Sequence, residues 1–377
     1  MIRIALPAAA LAVGLAASAP AAAQAEIRIA QSIGLSGGIA EHGNAVQLGI
    51  RAAIERANAE GGIRGRRIVL KTLDDAGSGQ KAAENARALL QDPAVLAIFG
   101  GIEGGPCVAQ MGVAVAAKAP LVGCMGGSPE LRDPPNPWVF PVRAGHYEEF
   151  ARLIEQALTY GMGRMAFVHA DSDTGRRHLA NVRKLLAARG KDLALAIPLG
   201  GGKPDAKAIA RSLAENRIEA VFNHGAYSTY AEILKEARAL GATTQFMAVN
   251  SGAQQMVRLL GNDARGLIFT QVVPYPWGAR HAIAREHQEA LKRIDPAAQP
   301  SFSSLEGYIS ARVLVEGLRR AKSFTREGLV QALESAGPLD IGGFVVTYGP
   351  GVRQGATFVD TVVARRGAAW GGGGARA

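Results

Sequence analysis

The stretch from Phe99 to Ser128, FGGIEGGPCVAQMGVAVAAKAPLVGCMGGS, constrains the fold more than any other part of the chain. It reads as the end of an apolar strand, a glycine-rich loop, a helix, a second apolar strand and a second glycine-rich loop. In a parallel α/β sheet both loops fall at the carboxyl ends of their strands, where such sheets bind ligands. Each loop also feeds a helix start: Pro106 is a good first-turn residue after Gly104 and Gly105, and Ser128-Pro129-Glu130 reads as N-cap, N1 and N2. Backbone amides from Gly104, Gly105, Gly126, Gly127 and Ser128 would then face an anion at two helix N-termini. The stretch predicts one wall of a small-molecule cleft.

The same alternation of strand and helix runs through most of the chain. Strands are expected at 26–33, 67–73 and 95–99, with helices at 43–58 and 78–91. Residues 138–143 read as an extended crossing, after which the series restarts. Strands are expected at 165–169, 193–198, 220–223, 245–249 and 266–271, and helices at 148–160, 174–189, 204–216, 227–240 and 253–260. A second crossing at 272–277 leads to helices at 281–293, 303–321 and 325–335, then strands at 343–347 and 357–364.

Two such series imply an α/β fold of two doubly wound, Rossmann-like lobes joined by a multi-strand hinge. The expected division is a processing segment at 1–25, lobe one at 26–143 plus 273–340, and lobe two at 144–272 plus 341–367. Residues 368–377, ending in a glycine run, are expected to be a disordered tail.

The 377 residues suffice for two ordinary domains. The net charge of +10 is spread along the chain without a basic run, and aromatics are 6%, too few for stacking platforms. Nucleic acid is therefore not an expected partner. Residues 1–25 carry Arg3, an alanine-rich apolar run and Ala23-Gln24-Ala25, a small-residue cleavage pattern, and predict export to the periplasm without stable membrane insertion. Export permits a disulfide between Cys107 and Cys124, the two cysteines, although two buried thiols fit the spacing as well.

Reactive motifs are missing. Gly100 to Gly105 lacks the G-x-G-x-x-G spacing, and Gly202-Lys203 is followed by proline, so no dinucleotide or phosphate loop appears. There is no H-E-x-x-H, no clustered Cys/His run and no G-x-S-x-G elbow. Glu286-His287, with His281 nearby, reads as a solvated helix face, and Asp171-Ser172-Asp173 as a loop and helix cap. No catalytic residue, metal or cofactor is expected. An exported enzyme on this scaffold is the reading these absences weigh against.

Several segments together resemble one family. The export segment, Ile33-Gly34-Leu35-Ser36-Gly37, Asn58-Ala59-Glu60-Gly61-Gly62-Ile63-Arg64-Gly65-Arg66, Asp74-Asp75 and Ser128-Pro129-Glu130-Leu131 are similar to those of the leucine/isoleucine/valine-binding proteins. These are solute-binding components of ABC importers with the type I periplasmic binding fold. The resemblance implies a monomer that closes on a small molecule between hinged lobes and delivers it to a membrane permease. A sensor that signals to a membrane partner would use the same cleft.

The resemblance also implies site positions. The family's first-loop aromatic falls at His42 and its next hydroxyl at Gly104. A backbone group and a hydroxyl fall at Met125 and Gly127, with Ser128 adjacent. A lobe-two tyrosine is replaced by Thr174, a second falls at Ala226 beside Tyr227, and the acid that meets the ligand ammonium falls at Asn250. With an amide there, a carboxylate or neutral polar ligand is expected, with a branched-chain amino acid as close competitor and Glu103, Asp171 or Asp173 as compensating acids.

Overall fold

The computed structural model describes residues 26–200, 204–365 and 370–372. The processing segment expected at 1–25 lies outside the described residues. The first series runs β1 (Ile27–Ile33), α1 (Ala40–Ala59), β2 (Ile68–Asp74), α2 (Gly79–Leu89), β3 (Val95–Phe99), α3 (Gly104–Ala116), β4 (Leu121–Val122) and β5 (Val139–Phe140). Its five strands are all parallel, in the order β2-β1-β3-β4-β5. The continuous apolar run of β3 is buried throughout, as a strand covered by helices on both faces must be.

The second series runs α4 (His146–Thr159), β6 (Met165–Ala170), α5 (Asp173–Ala187), β7 (Leu193–Leu199), α6 (Ala206–Glu215), β8 (Ala220–His224), α7 (Tyr227–Ala239), β9 (Gln245–Ala248), α8 (Ala253–Leu260) and β10 (Ile268–Gln271). The parallel part of this sheet has the order β7-β6-β8-β9-β10, which repeats the first topology strand for strand. Each sheet therefore reverses its winding beside its first strand, between β1 and β3 and between β6 and β8. Ligands of doubly wound sheets bind in that crevice.

Two devices, one local and one long-range, shape the first lobe. Asn58, at the end of α1, bonds both backbone groups of Ile68 through its amide, at 2.9 and 2.8 Å. That clamp, with Gly62 in a left-handed conformation (φ 70°), turns the chain from helix into strand. Then α9 (Ala282–Ile294), α10 (Phe302–Arg320) and α11 (Arg326–Glu334) follow, and α10 lies tightly along α1. The approach depends on Gly49, where an added Cβ would sit 1.8 Å from the Ser304 carbonyl oxygen.

The final strands divide differently from the expected lobe boundary at 341. β11 (Pro338–Asp340), β12 (Val345–Gly349) and β13 (Val352–Gly355) form a separate antiparallel sheet. The turn at Gly342 and Gly343 folds β12 back on its sequence neighbour, and β12 leaves alternate residues exposed, so it does not enter a sheet covered on both faces. β14 (Asp360–Ala364) joins the second sheet, antiparallel to β10. The tail also departs from expectation: β15 (Trp370–Gly372) pairs with β14 and covers backbone groups that an edge strand would leave open. Residues 373–377 of that expected tail lie outside the described residues.

The chain passes between the two sheets after β5, after β10 and before β14. These segments touch one another: Ala356 N donates to Val142 O at 2.8 Å, and Tyr348 Oη to Pro141 O at 2.8 Å.

Candidate functional site

The facing carboxyl ends of the two sheets enclose a cleft with two parts. An outer chamber of about 720 Å³ lies between Gly104, Gly105 and Ser128 on one side and Thr174, His224 and Ser251 on the other. A narrow inner pocket of about 40 Å³ is lined by His42, Glu103, Arg143, Asn250, Gln271 and Glu306. Glu103 borders both parts. It precedes α3 with φ at 66°, a conformation that costs a non-glycine residue energy and clusters at functional sites.

The wall seen in sequence is built, with changes. The bond between Cys107 and Cys124 ties the start of α3 to the end of the next strand segment. A Cβ at Gly104 would lie 2.2 Å from Ser128 Oγ, so a side chain there would turn that hydroxyl away. Gly126 does not offer a free amide to the cleft as expected, since its N donates to Cys124 O at 3.0 Å. The ring of His146 lies close over the Cα of Gly127. The helix expected after Ser128 is one short 3-10 turn, Pro129–Leu131, and Ser128 makes no side-chain cap there. Buried Arg132 instead fixes this loop, donating to Gly126 O at 3.0 Å, to Ser128 O at 3.2 Å and to Arg143 O at 2.8 Å. One guanidinium thus locks the second glycine-rich loop to the hinge.

The other expected residues divide. His42 reaches the inner pocket, with Nδ1 2.9 Å from Ser303 Oγ, and Met125 lines the same pocket. Thr174 borders the outer chamber, and its hydroxyl donates across the cleft to Glu130 Oε1 at 3.0 Å. Ala226 and Tyr227 are exposed and line neither part; Tyr227 lies over Gly252. Asn250 lines the inner pocket, but its Oδ1 accepts from Arg143 Nη2 at 3.0 Å. Asp171 and Asp173 pair with Arg176, and of the two Asp173 borders the outer chamber.

Arg143 is the charged centre that sequence reading passed over. It ends the first crossing, is buried, and donates through Nε to Ala144 O at 3.0 Å. Its Nη2 is paired with the fully buried Glu149, whose other oxygen accepts from Asn250 N at 3.0 Å and from Thr270 Oγ1. Its Nη1 stands 3.7 Å from Glu306 Oε1, beyond hydrogen-bond length, and that oxygen has no hydrogen-bond partner. Burial pushes the Glu306 carboxyl above its usual range, and the charges of Arg143 and His42 oppose the rise. A guanidinium and a carboxyl held side by side on a pocket wall, in a loose ion pair, can meet the acceptor and the donor of a small polar molecule in the pocket.

Behind this pocket, the start of α4, the middle of α5 and the end of β8 bring together His146, His178 and His224. Burial lowers the proton affinity of all three, His178 to about 2 and His224 to about 4. The solvated face expected at Glu286-His287 is also corrected: His287 is fully buried against the Tyr308 ring, and burial lowers its pKa to about 4. Glu286 there bonds Arg56 at 3.2 Å.

Two lobes of one topology, hinged at three crossings around a charged pocket, define a solute-binding class of protein. The comparisons give the family. The periplasmic binding protein family model matches residues 26–358. A Leu/Ile/Val-binding protein homolog 7 of Brucella suis biovar 1 is 27% identical over 367 residues, covering 92% of this chain and 88% of the relative. A leucine-specific-binding protein of Salmonella typhimurium is 24% identical over 327 residues, covering 86% and 87%. The crystal structure of a possible leucine/isoleucine/valine-binding protein from Rhodopirellula baltica SH 1 superposes with a TM-score of 0.82 at 27% identity, covering 94% and 98%. The chain belongs to the periplasmic binding protein family, with the type I fold of its leucine/isoleucine/valine-binding group.

Proposed function

We propose that this chain is an exported solute-binding protein that closes on an amino acid or related small carboxylate and hands it to the membrane permease of an ABC importer. The observation that carries this reading is the pair of buried charges, Arg143 and a Glu306 carboxyl oxygen without a hydrogen bond, side by side on the wall of the interlobe pocket. A ligand carboxylate accepts from Nη1, and an ammonium donates to Glu306 with Glu103 beside it. The Glu306 oxygen then gains the hydrogen bond it lacks, and Arg143 a further acceptor. The names of the relatives, which include Leu/Ile/Val-binding and leucine-specific-binding proteins, support a branched-chain amino acid as first candidate. The acids at Glu306 and Glu103 shift the balance toward an amino acid, relative to the simple carboxylate that Asn250 alone suggests. The chain captures its ligand and does not transform it.

Native mass spectrometry of the purified protein, followed by thermal-shift screening with leucine, isoleucine, valine and aliphatic and aromatic carboxylates, tests the reading. One amino acid or small carboxylate per chain, with a matching rise in Tm, is expected. A carried sugar or nucleotide, or no stabilisation by any compound in the panel, would overturn it.

A further inference from the structure

We propose that His146, His178 and His224 form a binding site for a divalent transition-metal ion of the zinc type, with an open position toward the outer cleft. One nitrogen from each ring lies within 4.8 Å of a nitrogen from each of the others. The His146 and His178 rings already approach to 3.3 Å between Nδ1 and Nε2, and the centroids of His178 and His224 are 3.9 Å apart. Nitrogens bound to one tetrahedral zinc stand about 3.4 Å apart at the usual 2.0–2.1 Å bond length, so small ring movements complete the geometry.

The second observation is the lack of other partners. His146 is 3% exposed and His178 0%, yet His146 Nε2 and His178 Nδ1 have no hydrogen bond, nor does His224 Nδ1. Buried polar atoms are almost always paired. Here the near nitrogens of His146 and His178 face each other at 3.3 Å while the far nitrogen of each ring is unbonded, so the rings lack a full set of partners. An ion between the near nitrogens would replace that weak nitrogen–nitrogen contact. Their burial keeps the rings neutral, the form that ligates metal. Imidazole suits zinc, copper and nickel, whereas calcium and magnesium take oxygen ligands.

The cluster sits at the cleft wall. His146 and His224 line the outer chamber, and the His146 ring rests on Gly127, where a Cβ would meet it at 2.1 Å. Three imidazoles leave a fourth position for water or for a donor on a molecule in the cleft. That last step rests on the solute-binding reading; metal binding itself does not.

The test uses the mature chain stripped with chelator and titrated with Zn²⁺ by calorimetry and with Co²⁺ by visible absorption, without any solute. One ion per chain and a tetrahedral Co²⁺ spectrum are expected. His178→Asn and His224→Asn should weaken Zn²⁺ by at least about 100-fold, the upper end of the cost of losing an outer-shell partner. His287→Gln, outside the cluster, should leave it unchanged. Equal Zn²⁺ affinity in wild type and the cluster variants would overturn the proposal. Should those variants fail to fold by circular dichroism, the wild-type Co²⁺ spectrum decides: tetrahedral supports the site, octahedral overturns it. Solute binding is read separately, so failure here leaves the cleft assignment standing.

Discussion

Arg143 shows how one buried side chain acquires meaning only from its neighbours. The guanidinium carries charge into a buried region, and Glu149, Asn250 and the Ala144 carbonyl absorb most of its donors. What remains points at Glu306. In sequence Arg143 merely ends an extended segment, and Glu306 sits in a helix whose register gives no sign that nearly every residue from Phe302 to Leu318 is buried. An acid on the buried face of a helix was the available signal. His42 and Met125 came from the family resemblance, and both line the inner pocket. The histidine cluster was not legible, since its members come from three elements that only tertiary folding joins.

His287 offers a sharp residue-scale test. Its folded pKa near 4 lies below the unfolded value near 6.5, so its neutral burial supports stability above pH 6.5 and loses it as pH falls toward 4. At about pH 5 the penalty is on the order of 2 kcal/mol. His287→Leu should therefore gain in relative stability by about that amount between pH 7.5 and pH 5, read as the difference in urea midpoints between the two proteins. A difference that is flat with pH would show that His287 does not titrate as its surroundings require.

Elements reveal the next layer. The close contact of α1 with α10 depends on backbone meeting backbone, at Gly49 against Ser304 and at Gly307 against Val46. Backbone cannot rotate away as a side chain can, so Gly49→Ala must separate the helices or bend one. A loss of about 1–3 kcal/mol is expected in chemical denaturation, the usual cost of overpacking. An unchanged midpoint would mean that the helices have slack there. Strand and helix order was readable because buried parallel strands are apolar runs and the helices carry periodic apolar faces. The fate of β12 was not readable: a short alternating strand fits an antiparallel hairpin or a sheet edge equally well, and the Gly342–Gly343 turn decided it. β15 was hidden for another reason, since its glycines have no strand propensity and its place comes from the open edge of β14.

At the scale of the molecule, closure is held by contacts at both rims of the cleft. Thr174 and Arg177 meet Glu130 at 3.0 and 3.6 Å on one side, and Arg258 pairs with Glu41 on the other. All three are side chains at partly exposed positions, so they contribute little by themselves. On the proposed reading the interior charges contribute more, because a ligand that bonds the Glu306 oxygen supplies a partner which burial makes valuable, and ligand binding and lobe closure would then be one equilibrium.

Isothermal titration calorimetry of the wild type and Glu306→Gln, with the identified ligand and the same molecule lacking its amino group, tests this most directly. The wild type should bind the amino acid at least about tenfold, or 1.4 kcal/mol, more tightly than the analogue, and Glu306→Gln should erase that preference while still binding the carboxylate. Equal preference in the two proteins, or a wild type indifferent to the amino group, would contradict the account of the cleft.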